Sequence, residues 1–220
     1  MSGSVFGPFL VGSARPFPII LVVDTSGSMG EHGKIEALNL AVREMIALFA
    51  RENGLRAELQ VAVITFGGEG ARLHVPLTAA RSLLWTDVVA GGSTPMGAAI
   101  GLLRGLLEDP ERIPTRAYRP AVVLLSDGQP TDEVHFQREL SALQASKRAG
   151  KVSRFAVGVG ADADERLLRA FLNSESDRVF RPETAREILE VLSAITRSIT
   201  ESSLSATPGE VLSTTVVVGS

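Results

Sequence analysis

Two uninterrupted apolar runs frame this chain, Ile19-Ile20-Leu21-Val22-Val23 and Ala121-Val122-Val123-Leu124-Leu125. Runs of strand length without alternation predict strands covered on both faces. The first strand is expected from about Phe17 to Val23, bounded by Pro16 and Pro18. Ile35, Leu38, Val42, Met45, Ile46 and Phe49 then recur at helical spacing between Gly33 and Gly54. A strand from about Glu58 to Phe66 leads through Gly67-Gly68-Glu69-Gly70 into a shorter one, Ala71 to Leu77. That pair reads as a hairpin whose second strand lies antiparallel at a sheet edge.

Residues 79–92 carry no clear period, and Leu83, Leu84 and Trp85 are expected to form a short helical turn. Thr94-Pro95 opens another helix, with Met96, Ile100, Leu103 and Leu107 on one face. Thr at the cap and Pro at the first helical position are start signals. After the second apolar run, Thr131 or Asp132 caps a helix carrying Val134, Phe136, Leu140 and Leu143. Val152 to Val159 is a further strand, and Asp162 or Asp164 caps a helix with Leu167, Leu168, Phe171 and Leu172. A very short strand near Val179-Phe180 precedes a final helix carrying Ile188, Val191, Leu192, Ile195 and Ile199.

Alternating strands and helices predict an α/β fold: a doubly wound, mainly parallel six-stranded sheet with one antiparallel edge strand and helices on both faces. The expected division is an N-terminal arm over residues 1–15, one domain over 16–201 and a Ser/Thr-rich tail over 202–220. At 220 residues and 45% hydrophobic content, the chain has enough apolar material for one large core.

Composition narrows the function classes. A net charge of −3, with no Lys/Arg block and no basic-aromatic interleaving, argues against an electrostatic nucleic-acid binder. The absence of cysteine excludes disulfides, zinc-thiolate sites and thiol catalysis. The first fifteen residues lack a basic leader region, and no apolar run approaches the roughly 20 residues that span a bilayer. The expected location is the cytoplasm, away from membranes.

The chemistry concentrates where the apolar runs stop. The first ends in Asp24-Thr25-Ser26-Gly27-Ser28-Met29, the second in Ser126-Asp127-Gly128. In an extended segment alternate residues project to one side, so Asp24, Ser26 and Ser28 can converge. Such hard oxygen donors suit Mg²⁺ or Ca²⁺. Both aspartates lie at the carboxyl ends of predicted strands, the rim where ligands of open α/β sheets bind.

Other motifs carry less. Gly158-Val159-Gly160 lacks the third glycine of a dinucleotide fingerprint and reads as a turn into a helix. Asp162-Ala163-Asp164 lacks the glycine and closing Glu of a calcium loop. His32, His74 and His135 are scattered, and no nucleophile–base–orienter arrangement emerges. Trp85 and Met96 read as core.

Asp24-Thr25-Ser26-Gly27-Ser28 resembles the D-x-S-x-S signature of von Willebrand factor A domains. Gly91-Gly92-Ser93-Thr94-Pro95-Met96-Gly97 is similar to their second loop, and Ser126-Asp127-Gly128 to their third. The resemblance covers roughly residues 16 to 200. It implies a metal-ion-dependent adhesion site with Asp24, Ser26, Ser28, Thr94 and Asp127 as ligands, some of them through water. The implied ion is Mg²⁺, with Mn²⁺ or Ca²⁺ as substitutes. The implied activity is binding rather than catalysis: an acidic side chain of a protein partner completes the coordination.

More local segments, among them Arg15-Pro16-Phe17-Pro18-Ile19, Val75-Pro76-Leu77-Thr78 and Leu125-Ser126-Asp127-Gly128-Gln129-Pro130-Thr131-Asp132, resemble bacterial tellurium-resistance TerY-like proteins. This implies a stress-response adaptor working alongside a PP2C-type phosphatase and a protein kinase. Ser202, Ser203, Ser205, Thr207, Ser213, Thr214 and Thr215 are then candidate phosphoacceptors. Two rival readings are a subunit of an AAA+ chelatase-like or MoxR-type assembly, and a metal-assisted hydrolase.

Overall fold

Strand β1, Arg15–Asp24, is the axis of the sheet, and only its first residue is exposed. The computed structural model describes residues 14–51, 57–68, 70–160, 163–172 and 179–204. Most of the expected arm, residues 1–13, and the tail beyond 204 lie outside them, as do Gly54 and Asp162.

The six strands are β1, β2 (Ala57–Gly67), β3 (Gly70–Ala79), β4 (Ala121–Ser126), β5 (Ser153–Gly158) and β6 (Val179–Phe180). They lie in the order β3-β2-β1-β4-β5-β6. All neighbours pair parallel except β3, which pairs antiparallel with β2 at the edge through Gly67 opposite Gly70. Pro76, which has no N–H to donate, sits in that edge strand, where its loss from a ladder is tolerated.

Side chains alternate across β1, and each set has its own helical cover. Phe17, Ile19, Leu21 and Val23 pack in one core with α1 (Lys34–Arg51) and α5 (Ala185–Leu204). Ile20 and Val22 pack in the other with α2 (Met96–Glu108), α3 (Glu133–Ala145) and α4 (Glu165–Phe171). Each such fully buried aliphatic side chain contributes about 1.5–3 kcal/mol. Two-sided burial explains why β1 and β4 read as unbroken apolar runs.

Several local expectations change. The short helical turn forms at Ala80–Ser82, and Leu83 to Trp85 follow it as irregular chain. That chain is held by buried Asn39 on α1, whose side-chain amide donates to Val88 O at 2.9 Å and accepts from Val88 N at 2.9 Å. Helix α5 runs to Leu204, so Ser202 is a buried helical residue rather than part of a free tail. Asp164 caps α4 by accepting from Leu167 N. Met96 is fully buried and Trp85 packs against the α1/α5 core. Among the described residues, no helix is long and apolar enough to cross a membrane.

Candidate metal centre

Strand order reverses between β1 and β4: the chain runs outward from β1 to β2 on one side, while β4 flanks it on the other. Val23 pairs with Leu125, which brings Asp24 beside Ser126 and sets Asp127 one residue further along the rim. The two strand-end aspartates therefore share one crevice, the usual ligand position in such sheets.

Asp24 is completely buried. Its Oδ1 accepts from Ser26 N at 2.8 Å, and its Oδ2 accepts from Ser126 Oγ at 2.5 Å. Ser26 Oγ lies 3.2 Å from Ser28 Oγ, and Ser28 Oγ donates to Asp127 Oδ1 at 2.7 Å. The other Asp127 oxygen accepts from Lys34 Nζ at 2.7 Å. Asp24, Ser26, Ser28 and Asp127 thus form one polar cluster at the edge of an apolar core.

Thr94 reaches the same rim through its backbone. Its carbonyl accepts from Met96 N at 2.8 Å and Thr131 N at 2.9 Å, tying the α2 and α3 loops together. Its hydroxyl is hydrogen-bonded to none of the other four residues. Nor does Thr94 cap α2: Pro95 stands at the cap position and makes no side-chain cap bond. The free amides are taken by Asp132, which accepts from Gly97 N at 2.9 Å and Ala98 N at 3.0 Å. Asp132 does occupy the start of α3, as its sequence position implies, but its carboxylate serves the neighbouring helix.

Backbone bonds lace the loops. Gly27 N donates to Gly92 O at 3.1 Å, Gly91 N to Thr25 O at 2.8 Å and Gly68 N to Gly91 O at 2.5 Å. Two glycines make this approach feasible. Gly92 has φ +71°, and a Cβ there would lie 2.4 Å from Gly68 Cα. A Cβ on Gly67 would lie 2.4 Å from the Thr25 carbonyl oxygen.

The electrostatics favour a cation. Burial raises the Asp24 carboxyl above its ordinary 3.8; the Ser126 and Ser26 hydrogen bonds oppose this, and the Asp127 charge adds to it. Two carboxylates share the crevice with one ammonium, that of Lys34. The donor set of two carboxylates and neutral hydroxyls is hard oxygen throughout, and it fits a Mg²⁺-type ion that retains several waters. Lys34 is the participant that sequence reasoning missed. A lysine at the first position of a helix, where the dipole disfavours a cation, is the signal that could have found it.

Residues 19–194 match the family model of the von Willebrand factor type A domain. The chain belongs to that family. Its A domain is 29% identical over 141 residues to an uncharacterized protein of Mycobacterium tuberculosis, a match covering 56% of this chain and 22% of that protein. The fold is similar to that of proximal thread matrix protein 1 from the mussel byssus, solved with a zinc-occupied adhesion motif. That likeness has TM-score 0.62 and 22% identity, over 84% of this chain and 46% of the other. It is also similar to the pilus adhesin SpaC of Lactobacillus rhamnosus GG in an open conformation, with TM-score 0.69 and 15% identity, over 87% of this chain and 31% of the other. The A domain thus spans less than half of each of these proteins. Domains of this family are often metal-dependent protein-interaction modules.

Proposed function

We propose that this A domain is a metal-ion-dependent protein-binding module whose ligands are Asp24, Ser26, Ser28, Thr94 and Asp127. The observation that carries this reading is the linked cluster of Asp24, Ser26, Ser28 and Asp127 at the β1/β4 crevice. Mg²⁺ is the ion that the donors suit best, with Mn²⁺ or Ca²⁺ able to take its place. When bound, the ion supplies a charged point at which an acidic side chain of a protein partner docks. Ser126 orients Asp24 and Ser28 orients Asp127, so both carboxylates are held before any ion arrives.

The rim offers a partner more than charge. Val89, just before the Gly91-Gly92 loop, and Val134, at the start of α3, are 85% and 86% exposed. Apolar side chains beside a polar anchor are what a protein interface uses to exclude water.

The reading as a binding module rather than an enzyme rests on this arrangement. His135 faces Asp132 and Glu139, and His74 stacks edge-on against Trp85, so neither belongs to the Asp24–Asp127 cluster; His32, in the turn between Ser28 and Lys34, is the histidine nearest to it in sequence. The finer placement, a TerY-like adaptor in the cytoplasm working with a PP2C-type phosphatase and a protein kinase, is carried by the local sequence segments alone. The proposed domain is the one expected over 16–201, with β1 beginning one residue before it at Arg15 and α5 continuing past it to Leu204.

The test is a pull-down from native lysate in Mg²⁺ and in EDTA, comparing wild type with Asp24→Ala and Ser28→Ala. Partners should be retained by wild type in Mg²⁺ and lost in the other arms. Equal retention in all arms would overturn metal-dependent recognition.

A further inference from the structure

The opposite end of the sheet, where β4 and β5 begin, holds a half-open pocket of about 350 Å³. Six residues of β4, at about 3.3 Å each, place it about 20 Å from the Asp24–Asp127 crevice. Its apolar surface is presented by half-buried Ala117, Tyr118 and Pro120, over a floor of buried Leu107, Ile113 and Val152. Thr115 and four cationic side chains, Arg119, Lys147, Arg148 and Lys151, complete the lining. No acidic residue lines it. Arg119, Lys147 and Lys151 pair with no carboxylate among the described residues, whereas Arg43, Arg81, Arg104 and Arg112 each do.

The walls are fixed by bonds made within the fold. Tyr118 N donates to Pro16 O at 2.8 Å, and Ser153 N to Pro120 O at 2.9 Å. The Arg15 guanidinium lies 4.0 Å from the Tyr118 ring centroid, and the Arg148 guanidinium donates to Ile113 O. A preformed pocket of this volume matches a small organic ligand. Four like charges around one opening repel one another, and a multivalent anion relieves that repulsion.

We propose that this pocket binds a small organic phosphate. An aromatic or aliphatic body rests on Ala117, Tyr118 and Pro120, and the dianionic head is held by Arg119, Lys147, Arg148 and Lys151. Guanidinium groups bind phosphate oxygens in pairs, and lysines add point charge.

The probe is 1-naphthyl phosphate, titrated calorimetrically into the full chain, with inorganic phosphate and 1-naphthol as head-only and body-only controls. One saturable site is expected, at least tenfold tighter than either control. It should weaken at least tenfold in the double variant Lys147→Ser/Lys151→Ser and in Thr115→Glu, which sets a negative charge on the lining. These three positions are exposed, and unchanged circular dichroism confirms folding. Binding should be the same in EDTA and in Asp24→Asn, which separates this site from the metal centre. Affinity no better than that of inorganic phosphate, no loss in either variant, or loss in EDTA would each overturn the proposal.

Discussion

Lys34 Nζ stands 2.7 Å from Asp127 Oδ2, with the lysine side chain 18% exposed and the aspartate 1%. The ammonium thereby neutralises one of the two carboxylates that a divalent ion would use. Lys34 and the ion compete for the same oxygen, so exchanging the ammonium for an apolar group of similar length should favour the ion. Lys34→Met is expected to bind Mg²⁺ about tenfold more tightly, equivalent to about 1.4 kcal/mol, while its metal-free form melts at a lower temperature. The second effect follows because breaking a buried pair strands a charge. Calorimetric titration with Mg²⁺ and melting in EDTA measure the two effects. Unchanged or weaker Mg²⁺ affinity would remove Lys34 from the site.

Asp24 gives a pH prediction of definite sign. Burial raises its folded-state pKa above the ordinary 3.8. Its contribution to stability is therefore fully present below about that value and is lost as pH rises through the raised folded value. Metal-free Asp24→Asn should gain on wild type over that interval and melt higher at neutral pH. Asparagine still offers an oxygen to Ser26 N and can donate to Ser126 Oγ. At about 100-fold excess over Kd, Mg²⁺ should add about 2.7 kcal/mol to wild type, or about 5–10 °C in Tm, and nothing to the variant. Paired thermal melts in EDTA and in Mg²⁺ read both effects, and a metal-induced shift retained by Asp24→Asn would contradict ligation by Asp24.

Glu139 has the opposite sign. It is buried on α3, accepts from Arg104 Nη2 at 3.0 Å and Nε at 3.3 Å, and joins α3 to α2. The Arg104 hydrogen bonds hold its carboxyl below the ordinary 4.5. Its stabilisation is present above 4.5 and is lost as pH falls through the depressed folded value. Glu139→Gln should cost about 2 kcal/mol at pH 7, the scale of hydrogen bonds to a charged group, and the difference from wild type should shrink in acid. Denaturant melts at pH 7 and pH 3 decide; a gap independent of pH would show that the pair contributes no charge-dependent stability.

The sheet and the meeting of Asp24, Ser26, Ser28 and Asp127 at one rim were legible because both follow from local patterns. β1 and β4 are buried on both faces, so their sequences could not alternate, and their polar endings marked the rim. What stayed hidden depends on partners far apart in the chain. Lys34 meets Asp127 across 93 positions, and Ser126 meets Asp24 across 102. Asp132 reads as a cap for its own helix because capping ordinarily acts three residues ahead. Its true acceptor role, on Gly97 and Ala98, appears only once α2 and α3 are packed together. The irregular chain before Gly91 was opaque for a similar reason: Asn39, on another element, supplies its buried hydrogen bonds.

Gly92 is the point where the loops meet at closest range, and its replacement tests whether their spacing matters to ion binding. Its φ of +71° already disfavours any side chain, and a Cβ would stand 2.4 to 2.7 Å from Gly68 backbone atoms. Neither strand of contact can yield cheaply, because Gly91 is also tied to Thr25 O and Gly68 N. Gly92→Ala is expected to cost about 1–3 kcal/mol of stability from backbone strain. Because Gly92 O holds Gly27 N between Ser26 and Ser28, relief of the clash by loop movement displaces the ligands as well. Mg²⁺ affinity should therefore fall at least tenfold, even at temperatures where the variant is fully folded by circular dichroism. A folded Gly92→Ala domain with wild-type Mg²⁺ affinity would show that the laced loops tolerate expansion, and that the ligands are positioned by β1 and β4 alone.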